Sequence, residues 1–317
     1  MAVVEARPVL STSVFDQGNL AWQCIPVAVG SSSNASSPPK SMLIVAPTLP
    51  GTYPVLLFFP GTCLKNTCYR ELYRHICSHG YIVVAPQLYK CMLVWQELDA
   101  AAEVTKWLPK GLQTVLPPNV EANLDRLALA GHSRGGNAAF TVALDSAETG
   151  IKFSALIGLD PVAGPCVDRR MFCPKILNYI PRSFNLKIPV AVIGSGLGDQ
   201  KKWGMISPPC PHGMNHCEFF AESKPPCCYF RAKDYGHMDV LDDGAAWMQT
   251  LVCECGKGPR DPMRRCVGGI FVAFLNAYLG RQTNDLKAIV CNPGIAPIVL
   301  DPVIFIEAEN HSHDEEA

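Results

Sequence analysis

The segment Leu127 to Phe140, "LALAGHSRGGNAAF", constrains the chain more than any other. Leu127 to Ala130 has the length and flanks of a buried strand, and Asn137 to Leu144 reads as the start of a helix. Between them Gly131-His132-Ser133-Arg134-Gly135 fits G-x-S-x-G, in which a serine occupies a sharp strand-to-helix turn. Glycines two residues either side let the neighbouring backbone pass closely, so the hydroxyl projects beyond the sheet edge. The first helical N–H groups of such a turn lack intrahelical partners and face a developing oxyanion. A plain Gly-rich turn is the competing reading, and the flanking strand and helix weigh against it.

The rest of the chain alternates in the same way. Strands are expected at 41–46, 55–59, 81–86, 154–160 and 188–196, and helices from Asn66 or Thr67, which can cap the first, to Gly80, and over 96–108. Val267 to Leu279 reads as a packed C-terminal helix, too short and too polar at Asn276 to cross a membrane. Strands separated by helices imply a mainly parallel sheet covered on both faces, hence a doubly wound α/β fold. At 317 residues and 48% hydrophobic composition, one α/β-hydrolase domain over 1–317 is expected. The polar run 31–40, "SSSNASSPPK", reads as a flexible loop, 201–230 as a Pro/Cys-rich excursion able to form a lid, and 308–317 as a disordered tail.

A net charge of −1 from 27 basic and 28 acidic residues offers no broad basic face for nucleic acid. The first twenty residues hold Arg7, Glu5 and Asp16, with neither an apolar core nor an acid-poor Arg/Ser pattern, so no signal or transit peptide is read there. Fifteen cysteines leave at least one unpaired within the chain, and free thiols are the default expectation. "CPHGMNHCEFFAESKPPCC" (210–228) contains Cys and His, ligand types zinc accepts, but its spacing matches no known zinc module. Disulfides and free thiols stand as the alternatives there, and no metal or cofactor is assigned.

A serine nucleophile needs a histidine to take its proton and an acid to orient that histidine. In α/β hydrolases the chain order is Ser, acid, His, which sets aside His75, His79 and His132. His311 and His313 lie in the polar tail. Of the remaining His212, His216 and His237, the last sits in "KDYGHMDVLDD", a loop ahead of an expected helix, and is preferred as base. Two acids qualify. Asp160 ends a strand and is followed by Pro161; Asp199 lies beyond a Gly-rich stretch and is the alternative. The oxyanion donors expected are the N–H of Arg134 and that of Thr62 in "VLLFFPGTC", where Gly61 permits close approach.

Assembled, these pieces resemble the plant chlorophyllases over most of the chain, through "LLFFPGT", "HICSHGYIVVAPQLY", "GHSRGG", "GLDPVAG" and "DYGHMDVLDD". The resemblance implies Ser133 as nucleophile, Asp160 as acid and His237 as base, in agreement with the reading from the residues. It also implies hydrolysis of the phytyl ester of chlorophyll to chlorophyllide and phytol in chlorophyll breakdown, with chlorophyll as the partner and peripheral contact with a membrane. The place of action would be a plant cell, in the chloroplast, the cytosol or the endomembranes. Pro60-Gly61 stands where many related lipases have His-Gly, which leaves Thr62 less firmly placed than Arg134. A flat macrocycle with a C20 tail needs an apolar cleft, and Trp203, Phe219, Phe220, Tyr229 and Phe230 could wall it or be core. Two other readings remain open: a general carboxylesterase or lipase with the same triad, and a non-catalytic hydrolase homologue holding an apolar ligand.

Overall fold

The computed structural model describes residues 11–30, 37–88, 96–145, 150–165, 175–245 and 247–308. The expected strands form around a chain whose interior runs are apolar on both faces: β2 (Met42–Pro47), β4 (Ile82–Pro86), β6 (Ala155–Leu159) and β7 (Val190–Ser195) are buried at every position. Continuous burial, without polar alternation, is what a sheet covered by helices on both sides requires. With β1 (Trp22–Val27), β3 (Gly51–Phe59), β5 (Val120–His132), β8 (Cys227–Ala232) and β9 (Leu300–Ile306) they make one nine-stranded sheet. Its order is β1-β2-β4-β3-β5-β6-β7-β8-β9. The pairs from β4 through β8 are parallel, while β1, β2 and β9 join antiparallel at the two edges.

The helices among the described residues are α1 (Arg70–Ser78), α2 (Gln96–Val115), α3 (Arg134–Leu144), α4 (His216–Glu222), α5 (Trp247–Val252), α6 (Asp261–Tyr278) and α7 (Asn284–Cys291). One core lies under α1 and α6, built on Phe58, Tyr69, Tyr73 and Phe271. The other lies under α2 and α3, built on Leu57, Trp107, Phe140 and Phe219. This is the α/β-hydrolase architecture expected.

Several local expectations change. Asn66 opens a 3-10 turn (Asn66–Tyr69) ahead of α1 without capping it; its side chain instead donates to the Ala85 carbonyl at 2.8 Å, binding the turn to the end of β4. Gly80 does close α1, in the left-handed region at φ +96° that favours glycine. No helix follows His237 directly; residues 237–240 run as turns. Within 201–230, Cys227 to Phe230 belong to β8 in the sheet, and Phe219, Tyr229 and Phe230 are buried core. Only Trp203 of the five aromatics is strongly exposed, at 66%. Cys63 is disulfide-bonded, against the default of free thiols, while among the described residues eleven other cysteines are free. Most of the 31–40 loop and nearly all of the 308–317 tail lie outside the described residues.

Candidate active site

β5 delivers its last residue, His132, to the carboxyl edge of the sheet, and the chain reverses at Ser133 into α3. Ser133 takes φ +58°, ψ −127°, a costly conformation for a non-glycine residue that the surrounding packing must hold. The two motif glycines are sterically obligatory. A Cβ on Gly131 would run into the Gly135 carbonyl, and one on Gly135 into the Phe59 and Pro60 carbonyls. The turn is pinned by Ser133 N–H donating to the Leu159 carbonyl at 3.0 Å, and by Val162 N–H donating to the Ser133 carbonyl at 3.0 Å.

These same bonds place Asp160. It follows β6 directly, at φ +43°, and its N–H donates to the Ile193 carbonyl of β7 at 2.6 Å. Its buried carboxylate meets His237, whose Nδ1 lies 2.8 Å from Oδ2, while His237 Nε2 lies 2.8 Å from the Ser133 hydroxyl. A carboxylate only accepts hydrogen bonds, so Nδ1 carries the proton and Nε2 is left to accept from Ser133. The histidine is 3% exposed and its loop is fixed by Asp239, whose Oδ2 accepts from Gly236 N–H at 2.7 Å and Gly256 N–H at 2.6 Å. Asp199, the alternative acid, is exposed, whereas Asp160 makes the bond to the histidine.

Around Asp160 lies a shell that sequence spacing did not reveal. Ser195, at the end of β7, donates its N–H to Oδ1 at 3.1 Å and its hydroxyl to Oδ2. Cys210 places its sulfur 3.4 Å from Oδ2 and 2.9 Å from His237 Nδ1. His216 approaches Oδ1 at 3.7 Å through Nε2 and meets the Tyr229 hydroxyl at 2.8 Å through Nδ1. Burial alone would raise the Asp160 carboxyl; the hydrogen bond and charge of His237, with His216 and Ser195 behind it, hold it well below the usual carboxylate range. Burial, and then the adjacent carboxylate, push the Cys210 thiol well above its ordinary value, so it remains S–H.

Asp160, Cys210 and His237 are residue types that hold metals. Their separations of 2.8, 2.9 and 3.4 Å are those of a hydrogen-bonded cluster in which His237 Nδ1–H and the Cys210 S–H each donate to Asp160. A tetrahedral zinc at its usual bond lengths spreads such ligand atoms to about 3.3–3.6 Å.

Arg134, the first residue of α3, sends its guanidinium to the buried Glu97 carboxylate of α2. Burial pushes Glu97 up to about 7 despite that cation. The loop after β3 brings Gly61 against the turn, so that a Cβ there would sit 3.1 Å from His132 Nδ1 and 3.2 Å from Ser133 Cβ. Thr62, half-buried, is the next residue of that loop.

The chlorophyllase family model matches residues 10–307. The chain belongs to the chlorophyllase family. It is 45% identical to Chlorophyllase-1 of Arabidopsis thaliana, over 95% of this chain and 96% of that protein. It is 44% identical to the Citrus unshiu protein named Chlorophyllase-1, chloroplastic, over 98% of this chain and 94% of that protein. Chlorophyllase type 0 of Chenopodium album is 43% identical over 90% of this chain and 84% of that protein. The match therefore spans the elements that carry Ser133, Asp160 and His237, together with both flanks of the sheet. Among the described residues of this family member, no helix is long and apolar enough to cross a membrane.

Proposed function

We propose that this chain is a chlorophyllase in which Ser133 is the nucleophile, His237 the general base and Asp160 the orienting acid, all in one α/β-hydrolase domain. The observation that carries the reading is the continuous hydrogen-bond line from the Ser133 hydroxyl through both ring nitrogens of His237 to Asp160, in a member of this family. His237 Nε2 takes the Ser133 proton as the oxygen attacks the propionate ester carbonyl of chlorophyll. The tetrahedral oxyanion is held by the Arg134 and Thr62 N–H groups. His237 then returns its proton to the phytol oxygen, the C–O bond breaks, and a water activated by the same nitrogen releases chlorophyllide from Ser133.

The low-lying Asp160 carboxylate supports this role, because an acid that stays ionised stabilises the imidazolium formed in each half-reaction. Chlorophyllide and phytol leave as separate products, so the free alcohol must appear in equal amount to chlorophyllide. We also propose peripheral contact with a membrane surface, since chlorophyll is held there by its C20 tail. Exposed Trp203, Met205, Trp247 and Leu251 are the residues suited to that contact. A chloroplast location is supported by the name of the Citrus relatives.

Chromatography of chlorophyll a incubated with the purified protein tests the substrate assignment. Chlorophyllide and phytol released one for one support it. Cleavage of short nitrophenyl esters with chlorophyll left intact would make the protein a general carboxylesterase, and binding without cleavage a ligand carrier.

A further inference from the structure

His132, the first of the two variable residues of the Gly-His-Ser-Arg-Gly turn, is fully buried, and both of its nitrogens are engaged. Its Nε2 lies 3.1 Å from the backbone carbonyl of His237 and its Nδ1 lies 2.7 Å from the hydroxyl of Tyr69. A carbonyl only accepts, so Nε2 bears the proton and Nδ1 of the neutral ring accepts from the Tyr69 O–H. The Tyr69 oxygen in turn accepts the Gly61 N–H at 3.0 Å. The direction of every bond is thereby fixed, from Gly61 N–H to Tyr69 O–H to the His132 ring to the His237 carbonyl.

We infer that Tyr69 and His132 are positioning residues, forming one buried strut that holds the oxyanion loop at Gly61 and the backbone of the base His237 in register with the nucleophile turn. The inference rests on the assignment of Ser133, His237 and the Thr62 N–H to the machinery.

Three features make the strut more than core filling. Each of its ends is a backbone group of a different functional loop, and its middle is the residue preceding Ser133. The Gly61 carbonyl is held separately by Leu64 N–H at 3.2 Å, so with Tyr69 on its N–H the glycine is fixed on both sides just before Thr62. The His132 ring also lies against that of His237, with centroids 4.5 Å apart and an interplanar angle of 32°. Burial, and then the neighbouring His237, lower the His132 pKa to about 3. The ring therefore stays neutral beside a base that becomes an imidazolium in every cycle.

The test is Tyr69→Phe, which keeps the ring packed among Phe58 and Tyr73 but removes the central hydroxyl. Activity is expressed per site titrated with a fluorophosphonate, so loss of folded protein does not count. The expected result is a fall in kcat of about 10- to 100-fold, smaller than outright loss of an oxyanion donor at about 10²–10³. KM stays within twofold, and affinity for a trifluoromethyl ketone, which forms a tetrahedral oxyanion on Ser133, falls in parallel with kcat. His132→Gln, tested the same way, carries the measurement if Tyr69→Phe yields no titratable sites. An unchanged kcat per site, or a KM rising with kcat intact, overturns the inference, as does collapse of both variants without any titratable site. Full activity in Ser133→Ala would instead overturn the assignment of the machinery, which separates the two failures.

Discussion

Ser195 gives both its backbone N–H and its hydroxyl to the carboxylate of Asp160, one to each oxygen. The carboxylate that orients His237 is thus itself oriented by a strand end, β7, that lies beside its own strand in the sheet. Asp160 has few other orientations open to it. The histidine inherits that restriction through a single 2.8 Å bond.

Ser195→Ala should therefore lower kcat by about 10- to 100-fold, the equivalent of the about 1.5–3 kcal/mol of a hydrogen bond to a charged group. KM should hold, and Ser195→Thr, which keeps the hydroxyl, should recover most of the loss. Steady-state kinetics of the two variants on one ester decide the matter; an active Ala variant would show that the backbone N–H suffices.

The motif glycines should differ sharply from glycines elsewhere. Gly135→Ala forces a methyl into the carbonyls of Phe59 and Pro60, backbone that cannot move without breaking β3, and should yield little folded protein. Gly204, at φ +74° with nothing near its absent side chain, should cost only about 1–2 kcal/mol when replaced by alanine. Soluble yield and thermal melting of the two variants provide the comparison.

Stability should fall in acid through His75. This buried ring donates from Nε2 to the Val14 carbonyl at 2.7 Å, and burial lowers its pKa to about 4 from the ordinary 6.5. The folded state binds its proton less readily than the unfolded chain. The ring's contribution is complete above pH 6.5 and is lost as the pH falls towards 4. Melting temperatures taken across that window should drop for the parent and drop less for His75→Gln; parallel curves would exclude His75 as a source of the acid sensitivity.

Thiol labelling should order the cysteines. Cys217 is exposed, and although burial of its sulfur acts against the thiolate, the hydrogen bond from His216 lowers its pKa. Cys210 is buried and raised beside Asp160. Iodoacetamide followed by peptide mass spectrometry should find Cys217 modified early and Cys210 only after unfolding. Early modification of Cys210 would mean that the pocket behind Asp160 opens to solvent.

What was legible in the sequence was what local pattern controls. Ser133 announced itself because the turn needs glycine on both sides and a strand and helix around it. Asp160 and His237 followed from strand-end position and chain order. The interior strands were readable as unbroken apolar runs. β8 was not, because Cys227 and Cys228 sit behind Pro225 and Pro226 at the end of a Cys/Pro-rich stretch, whose composition reads as loop although the pairing with β7 and β9 makes it strand. The edge strands β1 and β9 carry Pro26 and Pro302, which local pattern takes as breaks and which a sheet edge tolerates. Ser195, Cys210 and His216 carry no motif; each becomes meaningful only once β6 and β7 are neighbours. His132 was set aside by chain order as a base, and its bonds toward Gly61 and His237 depend on contacts 63 and 105 residues away.

The central claim is that Ser133 is the nucleophile of chlorophyll ester hydrolysis. Release of chlorophyllide from chlorophyll a by the parent and by Ser133→Ala, at matched amounts of folded protein, tests it most directly. Loss of the nucleophile should reduce kcat by about 10⁶-fold, leaving no detectable chlorophyllide while the melting temperature is retained. Substantial chlorophyllide release by a folded Ser133→Ala protein would contradict the account.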